Sequence, residues 1–402
     1  MRLITMSKFT VSAVGCSLAD YLYTKADFTG EAFDKYCSRK EGDGGLSPGH
    51  LVFAEDLEEF SGVPYPQIAA ELGCGGEPDA VNLGGPCIVA LINAAQLNRD
   101  PEITFNFYGA LGEDKTADRI LSIIRQTPVN IDHYVRTEGM SPFSDCISDP
   151  NHHGGKGERL FVNRIGAAGK YLPDMLGDDF FAGDILFYGA TALVPQIHDN
   201  LHDLLEKGRR LGKVNVVTTV FDFRNEKTNP GGNWPLGKDG SIELIDLLIM
   251  DWDEAMKISG APNDINAAAE FFIRKGVGAF VVTHGALNIY AWSGGKLFKK
   301  LDLTALPVCE QVDRDIKANP ESRGDTTGCG DNFAGGVLSA LVNGLAQKKD
   351  DLDLVEAVAW GSASGGFACF TIGGTYLEKF PGDKRKKVER YYNYYSEQLG
   401  RK

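Results

Sequence analysis

The chain has 402 residues, with 41 basic against 55 acidic side chains, a net charge of −14, and 43% hydrophobic and 24% charged residues. These are ordinary globular values, enough for a large buried core, and the length predicts one domain carrying insertions or a large lobe with a small one. The acidic balance and the lack of a basic stripe exclude a nucleic-acid partner from the expectation, because phosphate backbones are tracked by clustered Lys and Arg. The run Lys384-Arg385-Lys386-Lys387 reads as a solvated helix face. No apolar run approaches the roughly 18 residues that span a bilayer, so no membrane role is expected, and Met1 to Lys8 has no apolar signal-peptide core. Eight scattered cysteines without a Cys-x-x-Cys pair fit a reduced, cytoplasmic setting.

Taken in order, residues 9–20 read as a short apolar strand ending in Gly15-Cys16-Ser17-Leu18-Ala19-Asp20. Residues 21–76, rich in aromatic and charged side chains and glycine, read as an irregular excursion. A turn at Gly84-Gly85-Pro86 opens an apolar helix, Cys87 to Leu97, with Pro tolerated in its first turn. Ile103–Leu111 is a strand and 115–126 a helix. Asp184–Tyr188 is a strand and 196–211 a helix. Three further strands follow at 213–221, 244–250 and 279–283, with a helical run 253–275 between the last two. Residues 137–165 read as a hairpin flap around Gly139, Gly154, Gly155 and Gly157. Helices Asp331–Leu345 and Val355–Phe370 close the core. Strand–helix alternation predicts an α/β fold, a three-layer α/β/α sandwich on a mostly parallel sheet. The whole chain, 1–402, is expected to form one domain with a small β-rich lid drawn from about 21–76 and 133–165.

The chemistry concentrates in Asp325-Thr326-Thr327-Gly328-Cys329-Gly330-Asp331. Glycines at a helix start bring backbone N–H groups to a point where the helix dipole favours an anion. Asp331 at that start either caps the helix or serves as a general base beside an anion hole, the two elements that phosphoryl transfer needs. Two decoys fail on context. Gly328-Cys329-Gly330 has Phe333 where a dinucleotide fingerprint needs its third Gly, and a polar loop precedes it. Gly232 to Lys238 spells a P-loop, but Pro235 interrupts it and Asp239 follows where Ser or Thr is needed.

The segment from Asp325 to Gly336 resembles the C-terminal motif of the ribokinase-like (PfkB) carbohydrate kinase family, with Cys329 in place of Ala. Further matches run in family order: Gly15 to Asp20, Gly84-Gly85, Tyr108 to Asp114, Glu158-Arg159 with Gly166-Ala167, and Thr283-His284-Gly285. The resemblance implies that Asp331 is the base and that Gly328, Cys329 and Gly330 supply backbone donors. It implies that Asp20, Gly84, Gly85 and Arg159 bind substrate, and that Thr283, Gly285, Asp251 and Glu254 face the nucleotide. It further implies ATP and Mg2+ as cofactors, with Glu254 reaching magnesium through water. Asp325 and Thr327 match positions that help bind a monovalent cation, K+, in some members. Partners would be a small sugar or nucleoside, and a homodimer follows by analogy alone.

The expected activity is ATP-dependent phosphorylation of a hydroxymethyl group on a small carbohydrate. A nucleoside kinase is the alternative, motivated by the aromatic 21–76 and 101–108 stretches, and a non-catalytic binding protein is a third reading. Val89 stands where many members carry a sugar-binding Asn, Asp251 replaces the Asn of Asn-x-x-Glu, and Asn288 replaces a Gly. Glu254 and Asp20 also admit plain structural readings as a helix-start acid and a turn. His198 and His202 read as a surface helix, His152-His153 as a flap tip, and Trp234 and Trp252 as packing.

Overall fold

A computed structural model describes residues 8–401, without Glu41, Arg99, Lys156, Asp325 and the side chain of His153. Asp325, expected at a cation site, therefore lies outside the described residues, as does the His153 side chain. Fourteen strands are described: β1 Phe9–Gly15, β2 Leu18–Tyr23, β3 Leu51–Phe53, β4 Ala80–Gly84, β5 Ile103–Leu111, β6 Tyr134–Arg136, β7 Phe143–Asp149, β8 Glu158–Arg164, β9 Ile185–Gly189, β10 Val214–Thr218, β11 Leu247–Asp251, β12 Ala279–His284, β13 Asn288–Ser293 and β14 Leu301–Pro307.

Nine of them form the main sheet in the order β14-β13-β12-β11-β10-β9-β1-β5-β6. It is parallel from β12 to β6 and antiparallel only where β13 and β14 join. Successive residues point to opposite faces of a strand, and both faces here are covered. In β9, Ile185 and Phe187 enter one core with the Pro86–Leu97 and Cys329–Ala346 helices. Leu186 and Tyr188 enter the other, with the Leu201–Arg210 and Ile265–Arg274 helices. That is the three-layer α/β/α arrangement, and it explains why the parallel strands read as continuous apolar runs.

The chain leaves β1 toward β5 on one side and toward β9 on the other, so the topological switch point of the sheet lies at the carboxyl ends of β1 and β9. The first turn of the Pro86–Leu97 helix lies over it. Side chains at Gly15 or Gly189, the last residues of β1 and β9, would collide with Cys87.

A second sheet, β3-β8-β7-β2-β4, draws mainly on the segments expected to form a lid. The run expected as one strand over 9–20 is divided: β1 ends at Gly15, and β2 joins the other sheet from Leu18. Residues 21–76 are not irregular. They form three short helices, Glu31–Tyr36, Ala54–Ser61 and Tyr65–Glu71, and bury Phe28, Phe33, Tyr36, Leu57, Tyr65 and Ile68. These residues share a cluster with Leu160 and Val162 of β8, so the helices cover one face of the lid. The 196–211 helix breaks at Asn200, and the 253–275 run breaks at Gly260, which takes the left-handed conformation. The Lys384–Lys387 run does lie on a helix, Asp383–Gln398, but Lys384 is buried rather than solvated.

Candidate active site

The Asp331 turn is built by close backbone packing. Gly328 caps the Cys329–Ala346 helix at φ +75°, and a side chain there would come within 2.5 Å of Gly374 Cα. Only glycine meets both demands. The N–H of Asn332 donates to Gly328 O (2.8 Å) and that of Cys329 to Thr326 O (3.3 Å). The latter corrects one expectation, because the Cys329 donor already has a partner within the turn. The N–H groups of Gly330 and Asp331 belong to a first helical turn, where no carbonyl four residues back is available. Open space lies where a Gly330 side chain would be.

Asp331 occupies the third helix position and does not cap; Gly328 is the cap residue. Desolvation pushes the Asp331 carboxyl up to about 6. It lies near enough to Cys87 and to Glu254 to raise both electrostatically. Asp331 is thus within electrostatic reach both of Cys87, beside the Gly84-Gly85 turn, and of Glu254, at the helix start after β11.

On the first side, the Asp20 carboxylate lies against Gly84, where any side chain would overlap it. Gly85, at φ +104°, fits against the Cys16–Ser17 backbone. Strand register sets Asn82, Asp20, Ser144, Asn163 and Phe53 opposite one another across β4, β2, β7, β8 and β3. Ser144 and Asn163 were missed in the sequence, since nothing local signals a cross-strand partner. Arg159 shares that sheet face but stands four residues along β8 from Asn163, about 13 Å away, with its guanidinium 5.3 Å over Phe161. The structure does not bring it to Asp20. Val89 is 2% exposed and packs on Gly374, so it belongs to the support behind the turn.

On the second side, Asp251 and Glu254 form a reciprocal capping box. Glu254 N–H donates to Asp251 Oδ1 (2.8 Å), and Asp251 N–H donates to Glu254 Oε2 (2.9 Å). Replacing Asn by Asp keeps the cap, because both side chains accept this bond. Thr219 Oγ1 also donates to Glu254 Oε2 (2.5 Å). Burial, then the neighbouring Asp251, hold the Glu254 carboxyl well above its usual range. Thr283 stands opposite Asp251 in the register, and Gly285 follows at φ +54° with open space beside it. Trp252 stacks on His284 with centroids 4.2 Å apart, while Trp234 is core. Thr327 is half-buried in the turn.

His198 is not on a surface helix. It is buried, with its Nδ1 2.9 Å from Thr191 Oγ1 and its Nε2 3.5 Å from Asp222, while His202 lies on the next helix.

The family model described as pfkB family carbohydrate kinase matches residues 80–379, about three quarters of the chain. No curated relative matches. Among solved structures, adenosine kinase from Schistosoma mansoni in complex with 2-fluoroadenosine superposes with a TM-score of 0.67 at 13% identity, covering 92% of this chain and 98% of that one. A probable sugar kinase from Rhizobium etli gives 0.65 at 16%, covering 96% and 100%. Ribokinase from Thermotoga maritima gives 0.60 at 15%, covering 96% and 99%. At such identities the superpositions establish the shared α/β fold.

Proposed function

The chain belongs to the pfkB carbohydrate kinase family and is a phosphotransferase, and we propose that it transfers the γ-phosphoryl group of ATP to a hydroxymethyl group of a small sugar or polyol. One observation carries this reading. The Asp331 carboxyl, pushed up by desolvation, sits in an open, glycine-lined first helical turn within electrostatic reach of Cys87, beside the Gly84-Gly85 turn, and of Glu254.

The acceptor hydroxyl gives its proton to Asp331 as its oxygen attacks the γ-phosphorus, and the bond to the ADP oxygen breaks. The N–H groups of Gly330 and Asp331, at the positive end of the helix, hold charge on the phosphoryl group. Asp20 and the Gly84-Gly85 turn orient the acceptor, with Ser144 and Asn163 of the same lid row beside them. Thr283 and Gly285 line the nucleotide side. The lid excludes water, which limits hydrolysis.

Among the described residues no three His, Cys, Asp or Glu side chains make a ready metal cage. The crowding of Asp251 and Asp331 around Glu254 fits a magnesium ion that arrives with the nucleotide and keeps most of its water. When bound, it neutralises phosphate charge.

Most aromatic residues of 21–76 that suggested a base pocket, Phe28, Phe33, Tyr36 and Tyr65 among them, are packed in the hydrophobic core, and Phe105, Phe107 and Tyr108 are buried in the main sheet. A nucleoside acceptor is favoured by one residue of the 21–76 stretch that is not packed in this way. Phe53, in the row with Asp20, meets Phe223 edge-on at 5.2 Å, and Phe223 meets Phe221 at 4.5 Å. Acceptor-dependent ADP release over a panel of sugars, polyols and nucleosides separates the two. Turnover confined to nucleosides would replace the sugar reading, and tight ligand binding without turnover would replace both.

A further inference from the structure

Cys329 and Cys369 hold their sulfurs 3.5 Å apart. Cys329 is the first residue of the helix that carries Asp331, and Cys369 ends the Leu354–Ala368 helix packed beside it. We propose that this pair is an oxidation site, closing to a disulfide under peroxide and thereby suppressing phosphoryl transfer; the second part rests on the kinase reading above.

The pair is set apart from four buried cysteines, while Cys37 and Cys146 are half-buried like it but belong to the second sheet and its helices. Cys16, Cys74, Cys87 and Cys309 are buried, and their sulfurs donate to backbone carbonyls. Burial raises all four thiols, which keeps them inert. Cys329 and Cys369 are half-buried. Exposed Gly330 flanks one of them, and Ile372, 65% exposed, lies near the other in sequence. The hydrogen bond from Cys329, with help from Arg323, holds the Cys369 thiol below its ordinary value against the opposing effect of burial, which favours the thiolate. Thiolate character together with access is what selects a cysteine for oxidation.

The reaction balances with peroxide alone. The Cys369 thiolate attacks one peroxide oxygen, an S–O bond forms, the O–O bond breaks, and the departing oxygen takes a proton to leave as water. The Cys329 thiolate then attacks the sulfenic sulfur, the S–S bond forms, the S–O bond breaks, and a second water leaves. Two thiols have lost two electrons and two protons to the peroxide. The sulfurs must close from 3.5 Å to about 2.05 Å. That contraction draws the first turn of the Asp331 helix toward residues 369–374, where Gly328 already presses on Gly374. With Gly374 packed directly behind Gly328, the shift displaces the first-turn N–H groups from the phosphoryl position.

The test treats the reduced full-length protein with hydrogen peroxide and maps it by non-reducing tryptic mass spectrometry, in which cleavage at Lys348 and Lys349 separates the two cysteines. The expected result is a cross-linked peptide pair about 2 Da lighter than its two thiol peptides. With it should come at least a tenfold loss of acceptor phosphorylation, restored by dithiothreitol. Cys369→Ser should keep basal turnover and resist peroxide. ATP affinity, measured in parallel, should weaken at least tenfold on oxidation, and this readout serves if the panel yields no acceptor. Failure to form the cross-link, a cross-link that leaves turnover and ATP affinity unchanged, or equal inactivation of Cys369→Ser would each overturn the proposal. The peptide map is independent of turnover, so a failed kinase reading is distinguishable from a failed redox site.

Discussion

Lys384 Nζ donates to Asn332 Oδ1 across 2.8 Å, and Asn332 directly follows Asp331. Asn332 Nδ2 in turn donates to Gly328 O and Gly374 O (2.8 and 2.9 Å). A lysine 1% exposed, on a helix beyond the segment matched by the family model, thereby orients the amide that ties the Asp331 turn together.

Lys384→Met should lower kcat tenfold to a hundredfold with little change in fold, the scale expected when a reacting group is misplaced by about 1 Å. It should also change the pH dependence of stability. Burial lowers the Lys384 ammonium to about 7, opposed by the attraction of Glu378. Between pH 7 and the ordinary value of 10.5, the unfolded chain therefore binds a proton that the folded chain does not. The cost of burying the charge is fully present below pH 7 and is relieved as pH rises, so wild-type stability should gain from this group across that window. Urea midpoints at pH 7 and pH 9 for both proteins check this; equal pH slopes would remove Lys384 as the cause.

Asp331→Asn should lower kcat by 10²- to 10⁴-fold, the usual worth of a general base, and leave ATP affinity nearly unchanged by calorimetry. In the wild type, kcat/KM should rise with pH through about 6, where burial sets this carboxyl, because only the ionised form accepts the proton. The variant's residual activity should lack that limb.

Glu254→Gln keeps an oxygen to accept from Thr219 and Asp251 N–H, so the fold should survive. The apparent Mg2+ requirement should rise at least tenfold in a metal titration. The raised carboxyl destabilises the native state once ionised, so wild-type stability should fall as pH climbs from the ordinary Glu range through the raised value. The variant should be level there.

Val89→Asn, which restores the residue many relatives carry, should destabilise by about 2 kcal/mol, because it buries an amide without partners. Val89 is 2% exposed and lies against Gly374. Thermal melting reads the loss, and KM for the best acceptor should not improve.

The parts of the site written in local pattern were legible. Glycines beside an acid at an apolar helix start gave the Asp331 turn, and β5 was read to the residue because nine consecutive strand residues leave no competing period. The 21–76 region was misread because its helices run only six to eight residues, too short to show helical periodicity. β13 and β14, antiparallel and partly exposed, lack the apolar run that marks the other main-sheet strands. Lys384 was hidden in a run of four cations, where composition reads as solvated. Ser144 and Asn163 are defined by register, which a single strand does not reveal.

The most direct measurement is acceptor-dependent formation of ADP and phosphorylated product by wild type and Asp331→Asn across the sugar, polyol and nucleoside panel. The account predicts product from at least one hydroxymethyl-bearing acceptor with wild type and a loss of at least a hundredfold with the variant. Near-wild-type turnover by Asp331→Asn, or no acceptor-dependent product from wild type, would contradict it.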